Sequence, residues 1–174
     1  MALVGRSNVG KSSLINALVR RDVARTSAAP GKTRLANFYR VQRGTSTPFY
    51  LVDLPGYGYA RGGDASAREF NELTNAYFAR DGTAKALAVL LLVDARHPGL
   101  DTDLEAWHWM ASLSCPRAIV GTKADKLTRA ERDRHERAFQ SVFAVPVPLI
   151  SAHTGEGMDQ LWKTIVNLPR TTAE

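Results

Sequence analysis

The sequence predicts an α/β fold: a six-stranded, mostly parallel sheet with one antiparallel edge strand and helices on both faces. Three observations carry this. Strand-like apolar runs alternate with capped helical runs along the whole chain, the pattern of βαβ crossovers. The run ALAVLLLVD, residues 86–94, is apolar almost throughout, as a central parallel strand covered on both faces must be. The stretch GRSNVGKSSLINAL, residues 5–18, places two glycines, a lysine and a serine at the mouth of a helix that follows a strand-like stub.

Taken in order, Ala2 to Val4 reads as the stub of a first strand, and Lys11 to Val19 as a helix with Leu14, Ile15 and Leu18 on one face. Residues 20–34 are punctuated by Pro30 and Gly31 and read as a loop. Leu35 to Gln42 and Phe49 to Asp53 are strands joined by the short turn RGTSTP, so that pair is antiparallel. Ser66 and Glu69 form a capping-box pattern opening a helix that stops at Gly82. The same pattern recurs at Thr102 and Glu105 and at Thr128 and Glu131, each ahead of a helix, with the strand RAIVGT (117–122) between them. Strand VPLI (147–150) and helix Met158 to Asn167 close the chain.

A length of 174 residues without repeat or linker predicts one domain spanning 1–174. The longest apolar run, Ala86 to Val93, is too short to cross a bilayer, so no membrane insertion is expected. The single cysteine, Cys115, excludes an internal disulfide, suits a reducing cytoplasm and reads as structural. Charge is uneven: residues 1–43 carry +8 and the remainder −2, for a total of +6. A basic face suited to a nucleic-acid backbone is one reading, and an ordinary solvated face the other. His97, His108, His135 and His153 share no metal-ligand spacing, the tryptophans at 107, 109 and 162 read as packing residues, and RAERDRHER reads as a solvated helix face.

In open α/β sheets ligands bind beyond the carboxyl ends of the strands, and four motifs stand there. Gly5, Arg6, Ser7, Asn8, Val9 and Gly10 match a phosphate loop, whose backbone N–H groups and helix N-terminus suit phosphate. Lys11 then reaches the β- and γ-phosphates, and the Ser12 hydroxyl can bind Mg²⁺. After the third strand, Asp53, Leu54, Pro55 and Gly56 supply a carboxylate for Mg²⁺ and a bare backbone N–H for a γ-phosphate, though such a motif alone is also a plain turn. After the fifth, Thr122, Lys123, Ala124 and Asp125 offer a carboxylate that accepts two hydrogen bonds from guanine, which adenine cannot give. After the sixth, Ile150, Ser151 and Ala152 place small residues where a backbone N–H meets the guanine 6-oxo group. In this order the four imply a domain binding GTP and GDP.

Those stretches, with RTSAAPGKTR and LLLVDARHPGLDTDLE, together resemble the EngB/YsxC/YihA family of bacterial ribosome-biogenesis GTPases, and PGKT and DLPGYGYA are the family-specific pieces. The resemblance implies a monomeric cytoplasmic GTPase acting on the 50S ribosomal subunit and its rRNA, not on DNA, with a link to cell division and septation. It implies Mg²⁺ on Ser12 and Thr33 as well as Asp53. It also implies a nucleotide-contacting switch segment over Gly31, Lys32, Thr33, Arg34 and Leu35, of the kind that orders with GTP. Lys11, Thr33, Gly56 and Asn8 are then the hydrolytic residues. Family members have a longer lead-in before the phosphate loop, so the first strand here is expected to be shortened, and Thr122 stands where an asparagine is usual. Tyr57 follows Gly56 where Ras-like GTPases carry a water-orienting glutamine, which implies slow intrinsic hydrolysis. Related GTPases with an asparagine at the Asn8 position hold K⁺ beside the phosphates; the alternative is an Asn8 that only caps its own loop. A guanine-nucleotide sensor with negligible hydrolysis is the rival function, and an ATP-using kinase a third.

Overall fold

The computed structural model describes residues 1–24, 36–57, 72, 74–78 and 88–168. Its shortest strand holds the middle of the sheet. β1 (Ala2–Gly5) is buried at every residue, and two parallel neighbours, β3 (Phe49–Asp53) and β4 (Val89–Asp94), flank it. β2 (Asn37–Val41) runs antiparallel to β3, in a register from Asn37 opposite Asp53 to Val41 opposite Phe49. β5 (Arg117–Thr122) pairs parallel to β4, giving the order β2-β3-β1-β4-β5. The expected antiparallel edge is therefore present.

Alternation along the strands divides the core into two layers. Val89, Leu91 and Val93 of β4 face one cluster with Trp107, Met110, Phe139 and Phe143. Leu90 and Leu92 face the other, with Leu14, Ile15, Leu18 and Leu161. α1 (Lys11–Val19) and α4 (Met158–Asn167) cover this second face with the bounds that their periodicity predicted. α2 (Asp101–Ala111) and α3 (Arg129–Phe143) cover the first, joined by Tyr77 and Phe78 of a helical stretch at 74–78. Most of the helix expected from Ser66 to Gly82 lies outside the described residues, as do residues 25–35. No helix among the described residues is long and apolar enough to cross a membrane.

The aromatic and charged side chains sort as their context predicts. Trp107 packs edge-on against Phe143 and carries the Arg117 guanidinium 4.1 Å from its ring centre. Trp162 meets Phe49, and Trp109 meets Phe78. Cys115 is half-buried against the first cluster. α3 buries only Phe139 and Phe143; most of its charges are exposed, while Arg132 is half-buried and pairs with Glu156. Among the described residues no three His, Cys, Asp or Glu side chains gather as a metal site.

Two expectations need correction. The sixth strand shrinks to one parallel bridge, Gly121 to Leu149, with bonds from Gly121 N–H to Pro148 O (2.9 Å) and from Ile150 N–H to Gly121 O (2.7 Å). Pro146 and Pro148 stand in phase with Ile150, so the N–H groups that would extend this ladder along β5 do not exist. The second correction concerns Thr102. α2 starts at Asp101 behind an extended Leu100, without a side-chain cap, so Thr102 lies inside the first turn and no box forms. Asp101 and Asp103 supply negative charge to the helix N-terminus instead. The box at Thr128 is complete: Glu131 N–H donates to Thr128 Oγ1 at 3.3 Å, and Thr128 N–H donates to Glu131 Oε2 at 2.8 Å.

These two threonines share one local pattern and differ in consequence. Thr128→Ala is expected to cost about 1 kcal/mol, read as a fall of roughly 2–4 °C in thermal midpoint for a domain of this size. Exposed Thr102→Ala is expected to stay within about 0.5 kcal/mol of the parent. Equal losses in thermal unfolding would contradict the assignment.

Candidate nucleotide-binding site

β1 ends on Gly5, where the chain turns into the loop that leads to α1. A Cβ on Gly5 would lie 2.8 Å from both Leu92 O and Val9 Cγ1, so only glycine fits between β4 and the loop. Asn8 and Gly10 take φ of +62° and +110°, conformations that asparagine and glycine tolerate. Three carbonyls of the loop are held by side chains. Lys11 Nζ donates to Gly5 O at 3.1 Å, Thr122 Oγ1 to Val9 O at 2.6 Å, and Lys123 Nζ to Asn8 O at 2.7 Å. Val9 itself is buried in the second core cluster.

The charges on the phosphate side are buried and poorly matched. Burial pushes the Lys11 ammonium below its usual range, and the nearby Asp53 offsets only part of this. Burial likewise pushes the Asp53 carboxyl up against the pull of Lys11. Asp53 Oδ1 is buried without a hydrogen-bond partner among the described residues. An orphan carboxylate oxygen, together with the half-buried Ser12 at the first turn of α1, forms a hard oxygen donor set that suits Mg²⁺. Gly31, Lys32, Thr33, Arg34 and Leu35 lie outside the described residues.

Leu54 and Pro55 are buried and lead to Gly56, which lies directly on the loop. A Cβ there would come within 2.7 Å of Ser7 N. Ser7 N–H donates to Tyr57 O at 3.0 Å, and Arg6 and Tyr57 form a parallel bridge, so β3 is stitched to the phosphate loop past its own end. The Tyr57 hydroxyl donates to Asp103 Oδ1 at 2.8 Å, and Arg6 Nε donates to the same oxygen at 3.2 Å. The residue in the glutamine position is thus committed to α2. Burial and the adjacent Asp103 push the Tyr57 phenol far up, so it remains a donor. Burial also raises the Asp103 carboxyl, although Tyr57 and Arg6 draw it down.

The base side is charge-matched. Lys123, at φ +63°, bridges Asn8 O and Asp94 Oδ2, the latter at 2.9 Å. Asp94, the last residue of β4, also takes a fork from Arg96 at 2.9 and 2.8 Å. Burial alone would raise its carboxyl, but the bonds from Arg96 and Lys123 win and hold it well below the usual carboxylate range. Asp125 is the middle residue of a 3₁₀ turn (Ala124–Lys126). Its Oδ1 accepts the Ser151 hydroxyl at 2.7 Å, which, with Lys126 beside Oδ2, holds the carboxyl low. Ser151 Oγ in turn accepts N–H bonds from His153 and Thr154. Ile150 O accepts from Ala124 N–H at 3.0 Å and locks the two loops together. Ala152 and His153 face Ser13, Asn16, Arg20 and Arg21 across a cleft of about 420 Å³.

The described residues that the sequence assigned to the nucleotide follow the ends of β1, β3, β5 and the bridge at Leu149. Sequence reasoning assigned no role to Asp94, Arg96 or Asp103. For Asp94 a signal existed, since it ends an apolar strand as Asp53 does; Asp103 reads as an ordinary acidic residue in the first turn of a helix and gave none.

Residues 1–123 match the family described as 50S ribosome-binding GTPase. Among curated relatives, the probable GTP-binding protein EngB of Geobacillus kaustophilus is 38% identical over 95% of this chain and 85% of its own length. The protein of the same name from Thermotoga maritima is 42% identical over 97% of this chain and 85% of its own. Among solved structures, Era in complex with MgGDPNP and nucleotides 1506–1542 of 16S ribosomal RNA superposes with a TM-score of 0.78 at 26% identity. It aligns with 99% of this chain, which spans 57% of the Era chain. The phosphate loop, the strand-end motifs and these relatives agree, and the chain belongs to the EngB family of GTP-binding proteins.

Proposed function

We propose that this chain is a Mg²⁺-dependent GTPase switch, converting GTP and water to GDP and phosphate, that acts in the cytoplasm during assembly of the large ribosomal subunit. The observation that carries the reading is a loop after β1 whose carbonyls are pinned by Lys11 from α1 and by Thr122 and Lys123 at the end of β5, with Asp53 buried at the end of β3. In this reading Lys11 lies against the β- and γ-phosphates, Ser12 and Asp53 hold Mg²⁺, and Gly56 turns its N–H to the γ-phosphate. Thr33 joins them from the switch segment. Bound Mg²⁺ supplies compensation for charge developing between the phosphates. Lys123 lies over the base, and Asp125, oriented by Ser151, accepts the guanine N1–H and 2-amino group. The solved Era neighbour carries MgGDPNP, which supports this donor set.

Tyr57 is turned to Asp103, so no side chain directly after Gly56 orients the attacking water. Unassisted turnover is then expected at or below about 10⁻⁴ to 10⁻³ s⁻¹. The same observation favours the second reading, a sensor whose hydrolysis is negligible. Phosphate release with and without 50S subunits separates the two, because a switch accelerates on its target and a sensor does not.

Asp125→Asn tests the base reading. The amide keeps an oxygen for Ser151 and turns its NH₂ toward the base, where it meets guanine's donors and suits the 2-oxo group of xanthine. Losing two charge-assisted bonds of about 1.5–3 kcal/mol each predicts a fall in GTP affinity of roughly 10²- to 10⁴-fold, with a gain for XTP. Unchanged GTP binding would remove Asp125 from the site.

The ribosomal reading rests on the matched family, on the rRNA held by the Era neighbour, and on exposed Arg20 and Arg21 beside the cleft. Co-sedimentation with 50S subunits in GDP, in a non-hydrolysable GTP analogue and without nucleotide is expected to show nucleotide-dependent binding. Neutralising Arg20, Arg21 and Arg25 together should flatten the log–log salt slope of that binding by roughly 2–3, since each phosphate contact releases counterions. GTP affinity should stay near the parent value. An unchanged slope would place the contact elsewhere.

A further inference from the structure

We infer that the hydrogen bond from Tyr57 to Asp103 is a latch that positions Gly56 and thereby sets how strongly the site prefers GTP over GDP. The inference rests on the reading above, in which the Gly56 N–H meets the γ-phosphate. Tyr57 is a positioning residue in this scheme and touches neither the nucleotide nor the attacking water.

Three observations carry it. One carboxylate oxygen, Asp103 Oδ1, receives both the phenol of Tyr57 (2.8 Å) and Nε of Arg6 (3.2 Å). Arg6 follows β1 and Tyr57 follows β3, so this shared acceptor fixes the spacing between the phosphate loop and the chain at residues 56 and 57. The fit at that point is close. Tyr57 O takes the Ser7 N–H at 3.0 Å, and a Cβ on Gly56 would stand 2.7 Å from Ser7 N. With backbone on backbone, a small displacement of residue 57 carries the Gly56 N–H with it. Finally, Asp103 is 1% exposed, and its second oxygen, Oδ2, has no hydrogen-bond partner among the described residues. A half-satisfied buried carboxylate costs folding free energy, and an apolar residue on this face of α2 would avoid that cost. What Asp103 provides in return is placement: its Oδ1 joins Arg6 and Tyr57.

GDP has no γ-phosphate and reads the loop and the base pocket alone, whereas GTP also reads Gly56. A latch that positions Gly56 must therefore act on the ratio of the two affinities. A residue that merely supports the fold would weaken both nucleotides together or change only the thermal midpoint.

The test measures affinities for GDP and for a non-hydrolysable GTP analogue, both with Mg²⁺, in the full chain. The parent is compared with Tyr57→Phe, Asp103→Leu, their double variant and Gly56→Ala. Tyr57→Phe removes one hydroxyl and keeps the ring, so it decides the matter even where Asp103→Leu fails to fold. The expected result is a fall of about fivefold or more in the analogue-to-GDP affinity ratio, with GDP affinity within about twofold of the parent. The double variant should lose no more than the larger single, because both remove the same bond. An unchanged or increased ratio in Tyr57→Phe overturns the latch, as does equal weakening of both nucleotides. Gly56→Ala, which forces the backbone off Ser7, separates the two levels. If it too leaves the ratio unchanged, the γ-phosphate reading of Gly56 fails, and the latch falls with it.

Discussion

The bond from the buried Lys11 ammonium to the carbonyl of Gly5 closes the phosphate loop on itself, and the rest of the site depends on that closure. A cation in this position is poorly solvated, and the carboxylate nearest to it in charge effect, Asp53, is buried with an orphan oxygen of its own. Neither group is at rest electrostatically. The protein tolerates the arrangement because the loop's carbonyls are fastened elsewhere as well, by Thr122 and Lys123 from β5. A loop held by its oxygens presents its other polar face to whatever lies beyond the strand ends, which is the geometry an anion requires.

The two halves of the rim are built on opposite electrostatic plans. On the base side every charge has a partner: Asp94 binds Arg96 and Lys123, and Asp125 takes Ser151 and Lys126. Both carboxyls are held low and remain ionised. On the phosphate side, burial moves both Lys11 and Asp53 toward their neutral forms. The first half is closed by its own ion pairs and hydrogen bonds, whereas in the second Asp53 Oδ1 is left without a partner among the described residues.

Much of this was legible in the sequence, and the parts that were not share a cause. Helix α1, strands β3 and β5 and helix α4 follow from periodicity, because a core face repeats in the chain as it does in space. The strand-end motifs were legible because each is short and carries its chemistry in adjacent residues. Thr102 and Thr128 show the limit: their four-residue patterns match, and the difference lies in whether the preceding residue begins the helix. The bond between Tyr57 and Asp103 joins residues 46 apart, and no local pattern announces it. The shrunken sixth strand was readable in principle, since Pro146 and Pro148 are visible and their phase against Ile150 decides which edge loses its donors.

Placing β1 between β3 and β4 also has a kinetic consequence. The loop that follows β1 precedes β4 and β5 in the chain, yet apart from the bond made by Lys11 the side chains that hold its carbonyls are remote. Thr122 and Lys123 stand 113 and 115 residues from the carbonyls they hold. The β2–β3 hairpin can close early, whereas β1 must wait for β4 and the loop for β5. Contacts of such long range pay their loop-closure entropy before they are rewarded, so they form late and slowly. During synthesis the central strand waits as an apolar segment without its flanking strands, the condition under which nascent α/β chains are most exposed to misassembly. The loop is consequently complete only once β5 has joined the sheet, and a ligand captured there reports that closure.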